Sequence, residues 1–393
     1  MKIEVTKRDL EAALAVAGVG VAGTGSDMTT HFVFRHQDGR TEVLTNNGRV
    51  GVSAPLICQS SLTDDTRSFT CEAKRLSSWM SAVENSVLGL EWTSDKKVLA
   101  TSPKGSIRLN SLDPDLFPHW DDQFNSSEEG YQVPAKRLAS ALGHVKLFIS
   151  DKDTRNPRLS VTEVKEYKGE RLLEATDKSS LGVVKLACLQ GEEKTSAFRI
   201  HGKDLGTVVG FLASAGEEEV EVRELDNRMF LIRKDGSVMN VGRPSHAFPD
   251  LTVGTEDDQF TWKFKTTDLK SSLQALKAGA AKEDVVVNFK SDRGQVAISM
   301  ASASGSRNIY HLEPLEGSKF DPDKVTEAAF PEDGFNLPHP HLLRVLSQYK
   351  GGEITMGLNV KVNSDTGKAV GGFTRFQEDR DGDEYLVILV WML

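Results

Sequence analysis

AKRLSSWMSAVE at residues 73–84 and AKRLASALGHVKL at residues 135–147 open with the same four residues. Each follows a short β-like run with an aromatic residue, FTCE and YQVP. Each continues with apolar residues at the spacing of an amphipathic helix. The same strand-to-helix junction is therefore written twice, 62 residues apart.

The junction recurs along the whole chain. MKIEVTKRDLEAALAVAG, FRIHGKDLGTVVGFLAS, FTWKFKTTDLKSSLQALKAGAA and FNLPHPHLLRVLSQYK have the same form. The first inward leucines of the six helices are Leu10, Leu76, Leu138, Leu205, Leu269 and Leu342, spaced 66, 62, 67, 64 and 73 residues apart. A near-constant period over a full chain marks a repeated folding unit. Strand chemistry follows most of these helices. VLGLEWTSDKKVLATS, EVEVRELDNRMFLIRKD, VVVNFKSDRGQVAIS and EITMGLNVKVNSDTGK alternate apolar and polar residues around Asp, Asn or Gly turns. The expected unit is one helix followed by several antiparallel strands, in an α+β fold.

A longer repeat is nested over the short one. Phe117–Pro118 in DLFPHW and Phe248–Pro249 in HAFPDL lie 131 residues apart, about two short units. This predicts three similar domains of two units each, 1–127, 128–256 and 257–393. The acidic stretches DDQFNSSEEG (121–130) and GTEDDQ (254–259) read as linkers.

At 393 residues, with 38% apolar and 27% charged residues, the composition is that of a soluble chain whose domains each bury a core. Three cysteines, Cys58, Cys71 and Cys188, are odd in number and far apart, which argues against a disulfide framework or a zinc site and fits a reducing, cytoplasmic setting. The longest apolar run, YLVILVWML at the C-terminus, has nine residues, against about 20 for a membrane-spanning helix. ALAVAGVGVAG near the start is preceded by Glu4, Asp9 and Glu11, where a signal peptide carries positive charge.

The chain carries a net charge of −9. The helix windows 7–18, 73–84, 135–147, 202–214, 268–281 and 341–350 hold twelve Lys and Arg against five Asp and Glu, a surplus of +7, so the rest of the chain carries −16. Cationic helices in an acidic body imply a focused field aimed at a polyanion.

With these repeats, the motif LEATDKSSL (173–181), the segment SIRLNSLDPDLFP (106–118), FPDL (248–251) and the apolar C-terminus, the sequence resembles the bacterial DNA polymerase III β subunit, or sliding clamp, family. The resemblance implies a homodimer of the DNA-clamp (processivity) fold. Each chain would supply half of a six-domain ring, with twelve helices lining a hole that passes duplex DNA without regard to sequence. A sliding ring must not read base edges, and needs diffuse positive charge instead. The candidate DNA-facing cations are Lys7, Arg8, Lys74, Arg75, Lys136, Arg137, Lys146, Lys203, Lys270, Lys277, Arg344 and Lys350. SDKDTRNPR (150–158) matches a family loop near DNA and adds Lys152 and Arg155. The family's arginine after the first helix has no counterpart in GVAGTGSDMTTHF.

The resemblance also implies a cleft between domains two and three that takes short peptides from the polymerase and the clamp loader. Its candidate residues are Leu159, Thr176, Lys178, Ser179, Leu181, Pro249 and Val253, with Val387, Ile388, Leu389, Val390 and Trp391 from the last strand. The family's Gly-His-Arg is replaced by Lys178, Ser179 and Ser180, which points to a different preferred peptide. For ring closure, Ile107 and Leu109 match the apolar edge of domain one, and the opposing pair falls on Gly279 and Ala280.

Other signals carry less. The spacing Gly18-x-Gly20-x-x-Gly23 follows a helix, where a dinucleotide fingerprint must precede one. EDRDGDE (378–384) lacks the glycine and glutamate positions of a calcium loop and reads as a hairpin turn. His339 and His341 have no ligand partners nearby in sequence. No nucleophile–base set is legible, so the expectation is a non-catalytic processivity subunit without cofactor or metal. Two alternatives stay open: a clamp-fold protein that binds partners without encircling DNA, and a hydrolase on an unrelated repetitive α+β scaffold.

Overall fold

In all six junctions the strand passes into the helix with no intervening residue. Strand Lys2–Thr6 runs into α1 (Lys7–Ala17), and Arg67–Glu72 into α2 (Ala73–Ala82). After the short α3 (Asp121–Asn125), Tyr131–Pro134 leads into α4 (Ala135–Val145), and Arg199–His201 into α5 (Gly202–Ser214). Phe260–Lys265 leads into α6 (Thr266–Ala278), and Phe335–Pro338 into α7 (His339–Gln348). The computed structural model describes residues 1–24, 27–60, 67–93, 96–150, 156–167, 169–189, 198–225, 227–249, 258, 260–279, 286–292, 294–301, 307–316, 318, 333–349, 352–362, 369–380 and 382–391.

The local reasons are visible in α1. Thr6 caps it, accepting from the Asp9 backbone N–H at 3.1 Å, while its hydroxyl donates to the Asp9 carboxylate at 2.6 Å. Leu10, Ala13, Leu14 and Ala17 recur at helical spacing and are its buried face. All six leucines that open the helices are buried, none more than 2% exposed.

The chain divides into two compact units, residues 1–143 with 191–245, and residues 144–190 with 246–393. The second expected domain thus contributes strands to both.

In the first unit one sheet runs, in spatial order, Tyr131–Pro134, Glu219–Glu224, Arg228–Arg233, Val238–Gly242, Val50–Pro55, Arg40–Asn46, His31–Gln37 and Arg67–Glu72. Another places Gly105–Asn110 at its edge, next to Lys97–Ser102, Val87–Trp92 and Lys2–Thr6. The main core gathers Ile3, Leu10, Phe34, Phe69, Leu76 and Leu109 between these sheets and their helices.

The second unit repeats the plan. Its larger sheet runs Phe260–Lys265, Glu353–Val362, Ala369–Arg380, Asp383–Trp391, Ser180–Lys185, Glu170–Thr176 and Val161–Tyr167. Its smaller sheet places Arg307–Leu312 at the edge, next to Gln295–Ala301, Val286–Asp292 and Phe335–Pro338. Phe335 lies between Trp262 and Phe289, with ring centroids at 6.3 and 5.6 Å.

The stretch read as a linker at 121–130 begins instead with helix α3. Its Asp121 carboxylate accepts two bonds from Arg35, at 2.7 and 2.8 Å. Asp258, within the other acidic stretch, accepts from Arg375 at 2.6 Å and from Asn359 at 3.2 Å. Each stretch thus sends one carboxylate to an arginine on a sheet.

Candidate nucleic-acid interface and peptide site

The candidate cations divide by what they touch. Arg8, Lys74, Arg75, Lys146 and Lys203 are exposed on or just after their helices. Lys136 is exposed and pairs with Glu217. Arg137, Lys270 and Lys277 are half-buried. Lys7 is only 15% exposed, and its ammonium donates to the Val83 carbonyl at the C-terminal end of α2 over 2.7 Å. That contact satisfies one of the open carbonyls a helix end leaves. Lys152, Arg155 and Lys350 lie outside the described residues.

Arg344 on α7 is committed locally. It donates to Asp177 at 2.9 Å and to the Ser180 hydroxyl at 3.0 Å, and its guanidinium lies 5.2 Å from the centroid of Phe148. Burial raises the Asp177 carboxyl, but bonds from the Ser180 hydroxyl, Arg344 and Ser179 outweigh it and hold the group below its ordinary value. Ser179 also lies 3.4 Å from Nδ1 of His341.

Thr176, Leu181 and the last-strand candidates meet on one sheet and divide between its two faces. Leu181 pairs across strands with Ile388, and Gly182 with Val387. Successive residues alternate in direction, so Leu181 and Ile388 share one face and Val387 and Leu389 take the other. Phe148 fills the space over Gly182, on the face of Val387. The Leu181 face is an apolar cluster of Leu172, Leu181, Val183, Phe248, Phe373, Leu386 and Ile388. Leu172, Val183, Phe373 and Leu386 were not among the sequence candidates; the period of two around Leu181 and Ile388 carries them.

The last strand stays paired to its end, with Val390 opposite Phe373 and Trp391 opposite Gly372. The apolar run is therefore sheet as far as Trp391, and Met392 and Leu393 lie outside the described residues. Val390 is 54% exposed, and Val387 and Leu389 are fully buried. Thr176 is buried and donates to the Ser180 carbonyl at 2.7 Å, Leu159 is buried in the turn Pro157–Ser160, and Pro249 is half-buried. Lys178 is exposed, with φ of 78°. Val253 lies outside the described residues, as does the side chain of Trp391.

Of the interface candidates, Leu109 is fully buried in the core of the first unit. Ile107 packs against that core and borders a cavity of about 320 Å³ lined also by Trp79, Val83, Glu84 and Lys104. Gly279 is exposed, and its carbonyl accepts from Asn308 at 3.1 Å. Ala280 lies outside the described residues. The exposed apolar side chains nearby are Ile309 and Tyr310, on edge strand Arg307–Leu312.

Among the described residues no cluster of three or more His, Cys, Asp or Glu side chains is arranged to hold a metal ion. None of their helices is long and apolar enough to cross a membrane.

No protein-family model and no curated protein sequence matches the chain. Solved structures do. The DNA polymerase sliding clamp of Caulobacter crescentus superposes with a TM-score of 0.81 at 14% identity, over 100% of both chains. The sliding clamp of Bacillus subtilis gives 0.81 at 15% identity, over 100% of this chain and 99% of the other. The DNA polymerase III β subunit of Thermotoga maritima gives 0.80 at 18% identity, over 100% of this chain and 99% of that one. From end to end, the chain has the fold of the bacterial DNA polymerase III β-subunit sliding clamps.

Proposed function

We propose that this chain is a non-catalytic, cytoplasmic sliding clamp. Two copies close into a ring around duplex DNA and tether a polymerase, with the three domains 1–127, 128–256 and 257–393 of each copy supplying the six segments of the ring. The observation that carries this reading is the sixfold strand-to-helix unit, with exposed cations gathered on its helices, in a chain that superposes on sliding clamps over its full length. Side-chain ammonium and guanidinium groups without a base-reading set attract phosphate without locking to one register. Tethering raises the local concentration of polymerase at the primer end with no chemistry by the clamp.

Ring closure would join the open side of strand Gly105–Asn110 to the open side of Arg307–Leu312 in a second copy. Ile309 and Tyr310 would supply the apolar area that Gly279 lacks. Polymerase and clamp-loader peptides would dock on the Leu181–Ile388 face beside Val390. Each large apolar side chain buried there would contribute about 1.5–3 kcal/mol.

The test is loading onto nicked circular DNA. A topologically linked ring stays on the circle through a high-salt wash and leaves when the circle is cut. Retention after linearisation would refute encirclement. That outcome would favour a clamp-fold binding protein that does not encircle DNA, a reading to which the full burial of Leu109 gives some support.

A further inference from the structure

The two units can be placed in register residue by residue. Asn47 donates its N–H to the Val50 carbonyl at 3.0 Å, and its side-chain oxygen accepts from the N–H groups of Arg49 and Val50. Asp177 donates to the Ser180 carbonyl at 3.2 Å, and its carboxylate accepts from the N–H groups of Ser179 and Ser180. The residue after each takes a positive φ, 90° at Gly48 and 78° at Lys178. Asn47 therefore corresponds to Asp177, and Gly51 to Leu181. The cross-strand partners of that pair, Asn240 and Ile388, correspond in turn. The two Phe–Pro segments fit the same register: Phe117 packs with Val33 and Leu44, and Phe248 donates its N–H to Glu163, the counterpart of Val33.

In this register the Leu181 face of the second unit has a counterpart in the first, and there the chain itself occupies it. Trp120 lies on Gly51 so closely that a Cβ at Gly51 would sit 2.7 Å from the indole Nε1. Its ring packs with Phe230 at 6.0 Å and with Phe124 at 6.3 Å, over Val238. Phe124 meets Phe230 edge-on at 5.4 Å. The occupant is α3 with the residue before it, pinned by the Asp121–Arg35 fork. Its fit is incomplete: the buried Nε1 of Trp120 has no hydrogen-bond partner among the described residues, a state buried donors rarely keep.

We propose that the Gly51–Phe230–Val238 face is a second copy of the peptide site, closed in cis by Trp120 and Phe124. Emptied of them, it takes an external short peptide with two aromatic side chains one helical turn apart and a carboxylate placed to meet Arg35. The assignment rests on the Leu181–Ile388 face being a peptide site. It accounts for the difference between the two similar sheets at this position: glycine at position 51 makes room for an indole, and leucine at position 181 does not.

The probe is a synthetic peptide of residues 116–127 of this chain, acetylated and amidated, titrated by calorimetry. Trp120→Ala/Phe124→Ala is expected to bind one more peptide per chain than the unsubstituted protein does. Trp120→Ala alone, which leaves α3 unaltered, is expected to gain the same site, and adding Gly51→Ala to it puts a methyl group where the peptide's indole would lie and is expected to remove that site. Ile388→Asp in each background separates the two claims. Loss of binding to the otherwise unsubstituted chain would assign that event to the second-unit face, and no binding there at all would count against the peptide-site reading alone. The extra site must survive Ile388→Asp. Unchanged stoichiometry in Trp120→Ala/Phe124→Ala and in Trp120→Ala alone, with circular dichroism showing either one folded, overturns the proposal, as does an extra site that Ile388→Asp removes.

Discussion

Arg49 donates from Nε to Oδ1 of Asp204 over 2.7 Å, joining the Asn47 turn to the first turn of α5. In the matching turn of the second unit Arg49 is replaced by Ser179, which faces His341 on α7 at 3.4 Å. Both turns are thus docked on a helix by an ion pair, Arg49 to Asp204 in the first unit and Arg344 to Asp177 in the second, where a hydroxyl and an imidazole take the place of the Arg49–Asp204 pair. Asp204 is 2% exposed and Arg49 is 54% exposed, so the pair is asymmetric. Removing Arg49 leaves a buried carboxylate without its cation. Arg49→Ala is expected to lower stability by about 1–3 kcal/mol, the range for a lost hydrogen bond to a charged group. Urea unfolding checks this, and an unchanged midpoint would show that Asp204 is satisfied without Arg49.

Lys178 holds a backbone conformation that its counterpart Gly48 adopts freely. A residue with a Cβ costs about 1–2 kcal/mol there. Lys178→Gly is expected to raise the melting temperature, and a fall would mean that the lysine side chain contributes more than its backbone strain costs.

Burial lowers the His144 imidazole to about 4, against the opposing bond from the Leu386 carbonyl and with help from Arg380. Between that value and the ordinary value near 6.5, the unfolded chain takes up a proton that the folded chain does not. Stability is therefore complete above pH about 6.5 and falls as pH drops towards 4, by on the order of 3 kcal/mol. His144→Gln should flatten the unfolding midpoint across that window. An equally steep curve in the variant would move the effect to other groups.

Lys74 and Arg75 are exposed side by side at the start of α2. Each phosphate that a side chain no longer neutralises should reduce the slope of log affinity against log salt by about 0.9. Lys74→Ala/Arg75→Ala is expected to weaken binding to duplex DNA of any sequence equally and to make it less salt-dependent. A slope identical to that of the unsubstituted protein would place both side chains away from DNA.

Val390 is the exposed member of the Leu181–Ile388 face. Val390→Asp should leave stability within about 0.5 kcal/mol of the parent, as surface substitutions do. It should also reduce affinity for polymerase-derived peptides at least tenfold by calorimetry. Undiminished affinity would move the peptide site elsewhere.

The repeat was legible in the amino-acid sequence because its signals are local. Leu10, Leu76, Leu138, Leu205, Leu269 and Leu342 each begin a buried helical stripe, and helical periodicity needs only neighbouring residues to be seen. What lies across a sheet was not legible. Whether Val387 or Ile388 joins Leu181 depends on strand register, and a shift of one residue would exchange the faces of the last strand. Phe124 read as part of an acidic linker and Trp120 as the end of DLFPHW, because their partners, Gly51, Phe230 and Val238, are tens to more than a hundred residues away. Asp121 with Arg35, and Asp258 with Arg375, looked like solvent-facing charge until tertiary packing brought each carboxylate to its guanidinium. Local propensity and periodicity determined the unit and its repetition; only the tertiary structure decided which faces of those units meet, because those contacts join residues that share no local pattern.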